Sequence, residues 1–289
     1  MQMVVQFKKM KIEGIEVFYR EAGDPRNPTI VLLHGFPSSS HMFRDLISLL
    51  ADRYYVIAPD YPGYGNSSMP SVDDFLYTFE HLSLVIEQLI NRLCIPRYIL
   101  YCHDYGGPIG FRIAVRHPER VLGFVIQNAV AHEVGLGQPF DLFKALWANP
   151  SPENKAAFAT LVDAEFTKKQ YVYGVCKPFR ISPDGYAMDQ YFLDRPGNAA
   201  IQLALGYDYR HNVEQYPKWQ QYLRTYKPPT LITWGKNDFI FTLAGAYALA
   251  RELTCVELVL LCGGHFVLEE ESCTVSELIK SFFCRVYGF

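Results

Sequence analysis

Short, continuous apolar runs recur along this chain, and each breaks off at a turn signal. TIVLLH at 29–34 stops at Gly35, and YYVIA at 54–58 stops at Pro59-Asp60. YILYC at 98–102, VLGFVIQ at 121–127, TLITWG at 230–235 and VELVLL at 256–261 follow the same plan. Such runs suit strands buried on both faces, which is the habit of a parallel sheet. Between them the period changes. From 75 to 93 the apolar residues Phe75, Phe79, Leu82, Val85, Ile86, Leu89 and Leu93 fall at helical spacing. Strands alternating with helices predict an α/β fold with a mostly parallel sheet. Segments 4–7 and 12–20 are expected to open it as an antiparallel pair.

The pattern lapses after about residue 131. From there to 217 the chain is aromatic, rich in breakers such as NPSP at 149–152 and SPDG at 182–185, and without parallel-strand runs. Ser151 and Ser182 are suited to start helices. The expected organisation is therefore a core over 1–130, an inserted helical cap over 131–217, and a returning core over 218–289. Helices are expected at 243–253 and 275–283.

Half of the 289 residues are apolar, which is ample for one large core, and the formal net charge is −3. No block of Lys or Arg stands out, so neither nucleic acid nor an anionic membrane is an expected partner. Residues 1–11 lack an apolar stretch of signal-peptide length, and no segment reaches the roughly 20 apolar residues of a membrane span. The seven cysteines, among them Cys94, Cys102, Cys255, Cys262 and Cys284 in apolar surroundings, form no CxxC pair. They are expected to be buried, reduced thiols of a cytoplasmic protein. No metal or cofactor is expected.

The chemistry begins at YILYCHDYGG, 98–107, an apolar strand entering a tight turn with a helix after it. This is the layout of a nucleophile elbow, and Asp104 stands at its tip. A serine there would attack acyl carbonyls. A carboxylate more naturally attacks a saturated carbon and forms an ester of the enzyme itself. Asp238 in GKND and His265 in GGHF each follow a later strand. The C-terminal ends of parallel strands cluster on one edge, where active sites form. Singly, each residue has a plainer reading: Asp104 as a turn residue, Asp238 as a helix cap, His265 as a loop histidine, much as His117 before Pro118 reads as a helix terminus. Their joint placement, nucleophile then acid then histidine at successive strand ends, is what selects a triad. His265 would be the base and Asp238 its orienter.

With these pieces placed, the chain resembles the α/β-hydrolase superfamily over nearly its whole length. It is most similar to the aspartate-nucleophile branch of epoxide hydrolases and haloalkane dehalogenases. The matching stretches are HGFPSSS at 34–40, DYPGYGNSS at 60–68, HDYGGPIG at 103–110, RHPERV at 116–121, WGKNDFIF at 234–241 and GGHFVLEE at 263–270. The resemblance implies an oxyanion hole from the backbone N–H groups of Phe36 and Tyr105. It implies two steps on an apolar small molecule, with water as co-substrate: Asp104 forms an alkyl ester, and His265 then activates water against it. It also implies ring-opening tyrosines in the cap, for which Tyr209 and one of Tyr171 and Tyr173 are candidates, Tyr173 the preferred one. Dehalogenases of this branch resemble one another in a tryptophan after the nucleophile and many in an Asn after His-Gly; this chain has Tyr105 and Phe36 there. Tyr105 also departs from the tryptophan common in epoxide hydrolases. Cys102 replaces the usual glycine two before the nucleophile. The leading expectation is an epoxide hydrolase-like enzyme. The rivals are dehalogenation, non-hydrolytic cyclisation or carbon–carbon chemistry with Asp104 as base, and binding without turnover. Oligomeric state is open.

Overall fold

Each continuous apolar run becomes a strand covered on both faces. In chain order the strands are β1 (Gln6–Ile12), β2 (Ile15–Ala22), β3 (Thr29–Leu33), β4 (Tyr55–Pro59), β5 (Tyr98–His103), β6 (Val121–Gln127), β7 (Thr230–Gly235) and β8 (Val256–Leu261). The structure, a computed structural model, describes residues 4–289. The strands form one eight-stranded sheet in the order β1-β2-β4-β3-β5-β6-β7-β8. From β4 to β8 every neighbour is parallel, while β2 lies antiparallel to both β1 and β4. The opening pair differs from expectation. Its turn sits at Glu13 and Gly14, with φ of 49° and 85°. Two successive left-handed residues suit the tight hairpin that follows the twist of paired strands. The strands therefore start and stop around residues 13–14, not at 4–7 and 12–20.

Because strand side chains alternate, the sheet serves two cores. Ile30 and Leu32 face one that also holds side chains of α1 (Arg44–Leu50) and of the C-terminal helix. Val31 and Leu33 face the other, with α2 (Phe79–Arg92) and α3 (Gly106–Arg116). Helix α2 starts at Phe79 rather than 75 because Thr78 caps it, accepting the His81 N–H at 3.1 Å.

The segment between β6 and β7 is helical: α4 (Phe140–Ala148), α5 (Pro152–Ala159), α6 (Ala164–Val172), α7 (Pro183–Leu193), α8 (Asn198–Asp208) and α9 (Arg210–Tyr226). Ser151 and Ser182 cap α5 and α7 by accepting the N–H groups of Asn154 and Asp184. The expected boundary at 217 falls inside α9. The helix continues through Pro217. Beyond the proline, Trp219 stacks on Phe111 at 5.3 Å and Tyr222 meets Phe124 at 6.3 Å, so the later turns are core. Burial of these rings outweighs the local cost of the proline. Helices α10 (Leu243–Arg251) and α11 (Leu268–Tyr287) complete the chain. No helix among the described residues is long and apolar enough to cross a membrane.

The cysteines correct the sequence reading. Cys176 and Cys262 form a disulfide, and Cys94, Cys255, Cys273 and Cys284 are exposed; Cys102 alone of the free thiols is buried. The bridged pair is 86 residues apart in sequence. It meets only because the strap after α6 lies on the loop after β8, which spacing does not encode. Apolar neighbours misled for Cys284, which rides the outer face of an amphipathic helix.

Candidate active site

The C-terminal ends of β3, β5, β6, β7 and β8 deliver five side chains or backbone groups to one edge. After β5 the chain turns sharply, and Asp104 takes φ 49°, a left-handed conformation uncommon outside glycine. The turn brings Asp104 against the loop after β3: a Cβ on Gly35 would stand 2.3 Å from the Asp104 Cβ. Only a bare glycine allows that approach. It puts the Phe36 N–H 2.6 Å from Asp104 Oδ1, to which it donates. Cys102 at the strand end is accommodated in the same way, since a Cβ on Gly110 of α3 would lie 2.4 Å from its Sγ.

Asp238, after β7, accepts three hydrogen bonds. Its Oδ1 takes the Ile240 N–H at 2.7 Å; its Oδ2 takes Asn128 Nδ2 and His265 Nδ1–H, each at 2.8 Å. That fixes the His265 tautomer and leaves Nε2 as the free lone pair. Nε2 is buried without a hydrogen-bond partner among the described residues and faces Asp104 Oδ2 at 3.9 Å. The structure thus brings Asp104, Asp238, His265 and the Phe36 and Tyr105 N–H groups together.

Burial pushes the Asp104 carboxyl up to about 6, although the His265 charge and the N–H groups of Phe36 and Tyr105 pull it back. For His265, burial opposes protonation, but the charge and hydrogen bond of Asp238, with Asp104 added, outweigh it and raise its pKa.

Two residues given no role by the sequence reading complete the frame. Asn128, at φ 45°, follows β6. Its carbonyl accepts the Asp104 N–H at 3.2 Å, its Nδ2 holds Asp238, and its Oδ1 accepts the Gly235 N–H at 2.9 Å. Its place after an apolar run, at the edge that carries Asp104, Asp238 and His265, was the available signal. His34 braces the Phe36 loop. Burial lowers its pKa to about 3, so it is neutral; Nε2 accepts the Tyr61 N–H at 3.2 Å, and Nδ1–H therefore donates to Gly35 O at 3.0 Å.

Above Asp104 lies a cavity, with about 460 Å³ of empty space in and in front of it, open solvent included. Phe36, Tyr105, Phe140, Phe143, Phe158 and Phe166 form most of its wall, with Gln170 and Gln202 as amides among them. The cap tyrosines are placed otherwise than the resemblance implies. Tyr173 follows α6 on the solvent side, half exposed, with its ring against Phe239. It is not brought to the cavity. Tyr171 stacks on Phe266 at 4.0 Å and donates to Asp189 Oδ2 at 2.5 Å. Tyr209 is fully buried behind the wall, between Tyr105 and Phe143, with its hydroxyl 3.4 Å from that of Tyr216. The phenol that lines the cavity itself is Tyr105.

Comparison with known proteins gives a consistent picture. A family profile described as alpha/beta hydrolase fold matches residues 28–272. An uncharacterized hydrolase of Saccharomyces cerevisiae is 39% identical over 98% of this chain and 99% of its own length. Epoxide hydrolase 3 of Xenopus tropicalis is 30% identical, over 80% of this chain and 64% of its own. Among solved structures, the haloalkane dehalogenase DbeA of Bradyrhizobium elkani superposes with a TM-score of 0.81 at 20% identity, covering 98% of this chain and all of that one.

Proposed function

The chain is a hydrolase of the α/β-hydrolase family, and on that premise we propose that it uses Asp104 as an alkylating nucleophile to open epoxides on apolar small molecules. The observation that carries the reading is the posture of the Asp104 carboxylate. Oδ1 is held by the Phe36 N–H, while Oδ2 accepts no hydrogen bond among the described residues and faces His265 Nε2 at 3.9 Å. A serine nucleophile would need the histidine in hydrogen-bond contact; a carboxylate needs no base, and a gap instead leaves room for water.

In the first step Oδ2 attacks an epoxide carbon in line, and the carbon–oxygen bond of the ring breaks. The departing alkoxide takes a proton from a phenol. Tyr105 is the phenol we assign, since it lines the cavity beside Asp104, whereas the hydroxyls of Tyr209 and Tyr173 lie outside the lining. In the second step His265 Nε2 removes a proton from water, and the oxygen of that water adds to Asp104 Cγ. Oδ1 carries the negative charge, with the Phe36 and Tyr105 N–H groups as its oxyanion donors. Collapse breaks the Cγ–Oδ2 bond, so the diol leaves with Oδ2 and takes a proton from the imidazolium, and the carboxylic acid left on Asp104 returns its proton to the Tyr105 phenolate. Asp238 holds the ring throughout.

The test is trapping. With His265→Gln, an aryl-alkyl epoxide should leave its full mass on the peptide containing Asp104. Wild-type enzyme in ¹⁸O-water should, in one turnover, give unlabelled diol and a labelled Asp104. Turnover surviving Asp104→Asn sinks the reading, and an adduct from alkyl halides with none from epoxides redirects it to dehalogenation.

A further inference from the structure

Gln170 sits on the buried face of α6 and lines the cavity, in a wall otherwise built mostly of Phe140, Phe143, Phe158, Leu161 and Phe166. It is 1% exposed. Its Nε2 has no hydrogen-bond partner among the described residues. The second amide of the cavity shows what satisfaction looks like: Gln202 Oε1 accepts the Tyr64 hydroxyl at 2.6 Å, and its Nε2 donates to Asn198 Oδ1 at 3.0 Å. One turn before Gln170, Thr167 Oγ1 on the same helix face is likewise buried and unpaired. A buried donor left unpaired costs roughly 1–3 kcal/mol, so native proteins rarely keep one without a use.

We infer that Gln170 is a specificity-determining residue whose Nε2 hydrogen-bonds a neutral oxygen on the substrate, a carbonyl, ether or hydroxyl set apart from the electrophilic carbon. The preferred substrate is then an apolar molecule with one such acceptor, neither a pure hydrocarbon nor an acid. Among the described lining residues there is no Lys, Arg or His to offset a substrate carboxylate, and Asp104 would repel one. This inference rests on reading the cavity as the substrate site, but not on Asp104 being a nucleophile.

The experiment therefore uses unreactive ligands. 4-Phenyl-2-butanone and butylbenzene differ only by a carbonyl in place of a methylene. Their dissociation constants are measured on wild type, Gln170→Leu and the more nearly isosteric Gln170→Met, with circular dichroism and melting to check the fold. The expected result is that the ketone-over-hydrocarbon preference falls about tenfold in both variants, the worth of one buried hydrogen bond whose donor is lost. An identical preference in wild type and variants overturns the inference, because it would mean that Gln170 meets only solvent. So does failure of both ligands to bind wild type. Lost preference without any Asp104 adduct from epoxides would sink the hydrolytic reading alone; an adduct with unchanged preference would sink this one alone.

Discussion

Asp104 Oδ2 and His265 Nε2 stand 3.9 Å apart, beyond hydrogen-bond reach, although both side chains are buried and each is held from its far side. Each group favours the charged form of the other, and the proposed mechanism needs each in a different protonation state for its own step. Asp104 must be ionised to attack carbon. His265 must be neutral to take a proton from water.

These demands separate the two half-reactions by pH. The Asp104 carboxyl is pushed up to about 6, so adduct formation should fall as the pH drops through that value. The Asp238 charge and hydrogen bond that favour protonated His265 persist in the adduct, where the Asp104 charge is gone, so water activation should weaken as the pH falls. Rapid-quench single turnovers with an epoxide check this: both rates rise with pH, each with its own midpoint. Hydrolysis that stays flat from pH 5 to 9 contradicts the assignment of His265 as base.

Asn128 links the two halves of the site, since its backbone accepts the Asp104 N–H and its side chain donates to Asp238. Asn128→Ala should slow hydrolysis of the adduct roughly tenfold to a hundredfold, in line with about 1.5–3 kcal/mol for a hydrogen bond to a charged group. Alkylation should suffer less, because Asp238 takes no direct part in it. Intact mass during turnover reads the difference as a larger steady-state adduct in the variant.

How far the site was legible follows from what each residue depends on. Asp104, Asp238 and His265 were readable because each directly follows an apolar run, and a parallel sheet carries all such ends to one edge. The sheet itself was readable for the same reason. Tyr173 and the cysteine bridge were not, because the cap has no repeating strand frame to fix side-chain direction. Whether a residue after α6 faces the cavity or solvent depends on helix orientation, which local sequence sets weakly. Gln170 carried no signal for the same reason: its role comes from the aromatic walls around it.

The Cys176–Cys262 bridge ties the strap after α6 to the loop that carries His265. Glu270 reinforces it, accepting the N–H groups of Cys176 at 2.8 Å and Lys177 at 2.5 Å. Under denaturing alkylation without reductant, five thiols should react out of the seven cysteines. Closing a loop of 86 residues restricts the unfolded chain, so Cys176→Ser should lower stability by about 2–4 kcal/mol. Chemical denaturation measures it. Alkylation of all seven without reductant would contradict the bridge.

Asp104, the proposed nucleophile, should be a source of instability that its own replacement relieves. Unfolded, the Asp104 carboxyl titrates near its ordinary 3.8; in the fold burial lifts it to about 6. Between those values the native state keeps a proton that the unfolded state has released. Stability from this group is therefore highest at low pH, falls as the pH climbs from about 4 to about 6, and stays reduced above. Asparagine fills the same space with no charge to desolvate. Asp104→Asn should then melt higher than wild type at pH 8, by an amount on the order of 2 kcal/mol or a few degrees, with the gap closing toward pH 4. Melting both proteins across that range checks it. A gap equal at pH 4 and pH 8 would mean that the gain comes from packing or from relief of the φ 49° turn, and not from the buried charge.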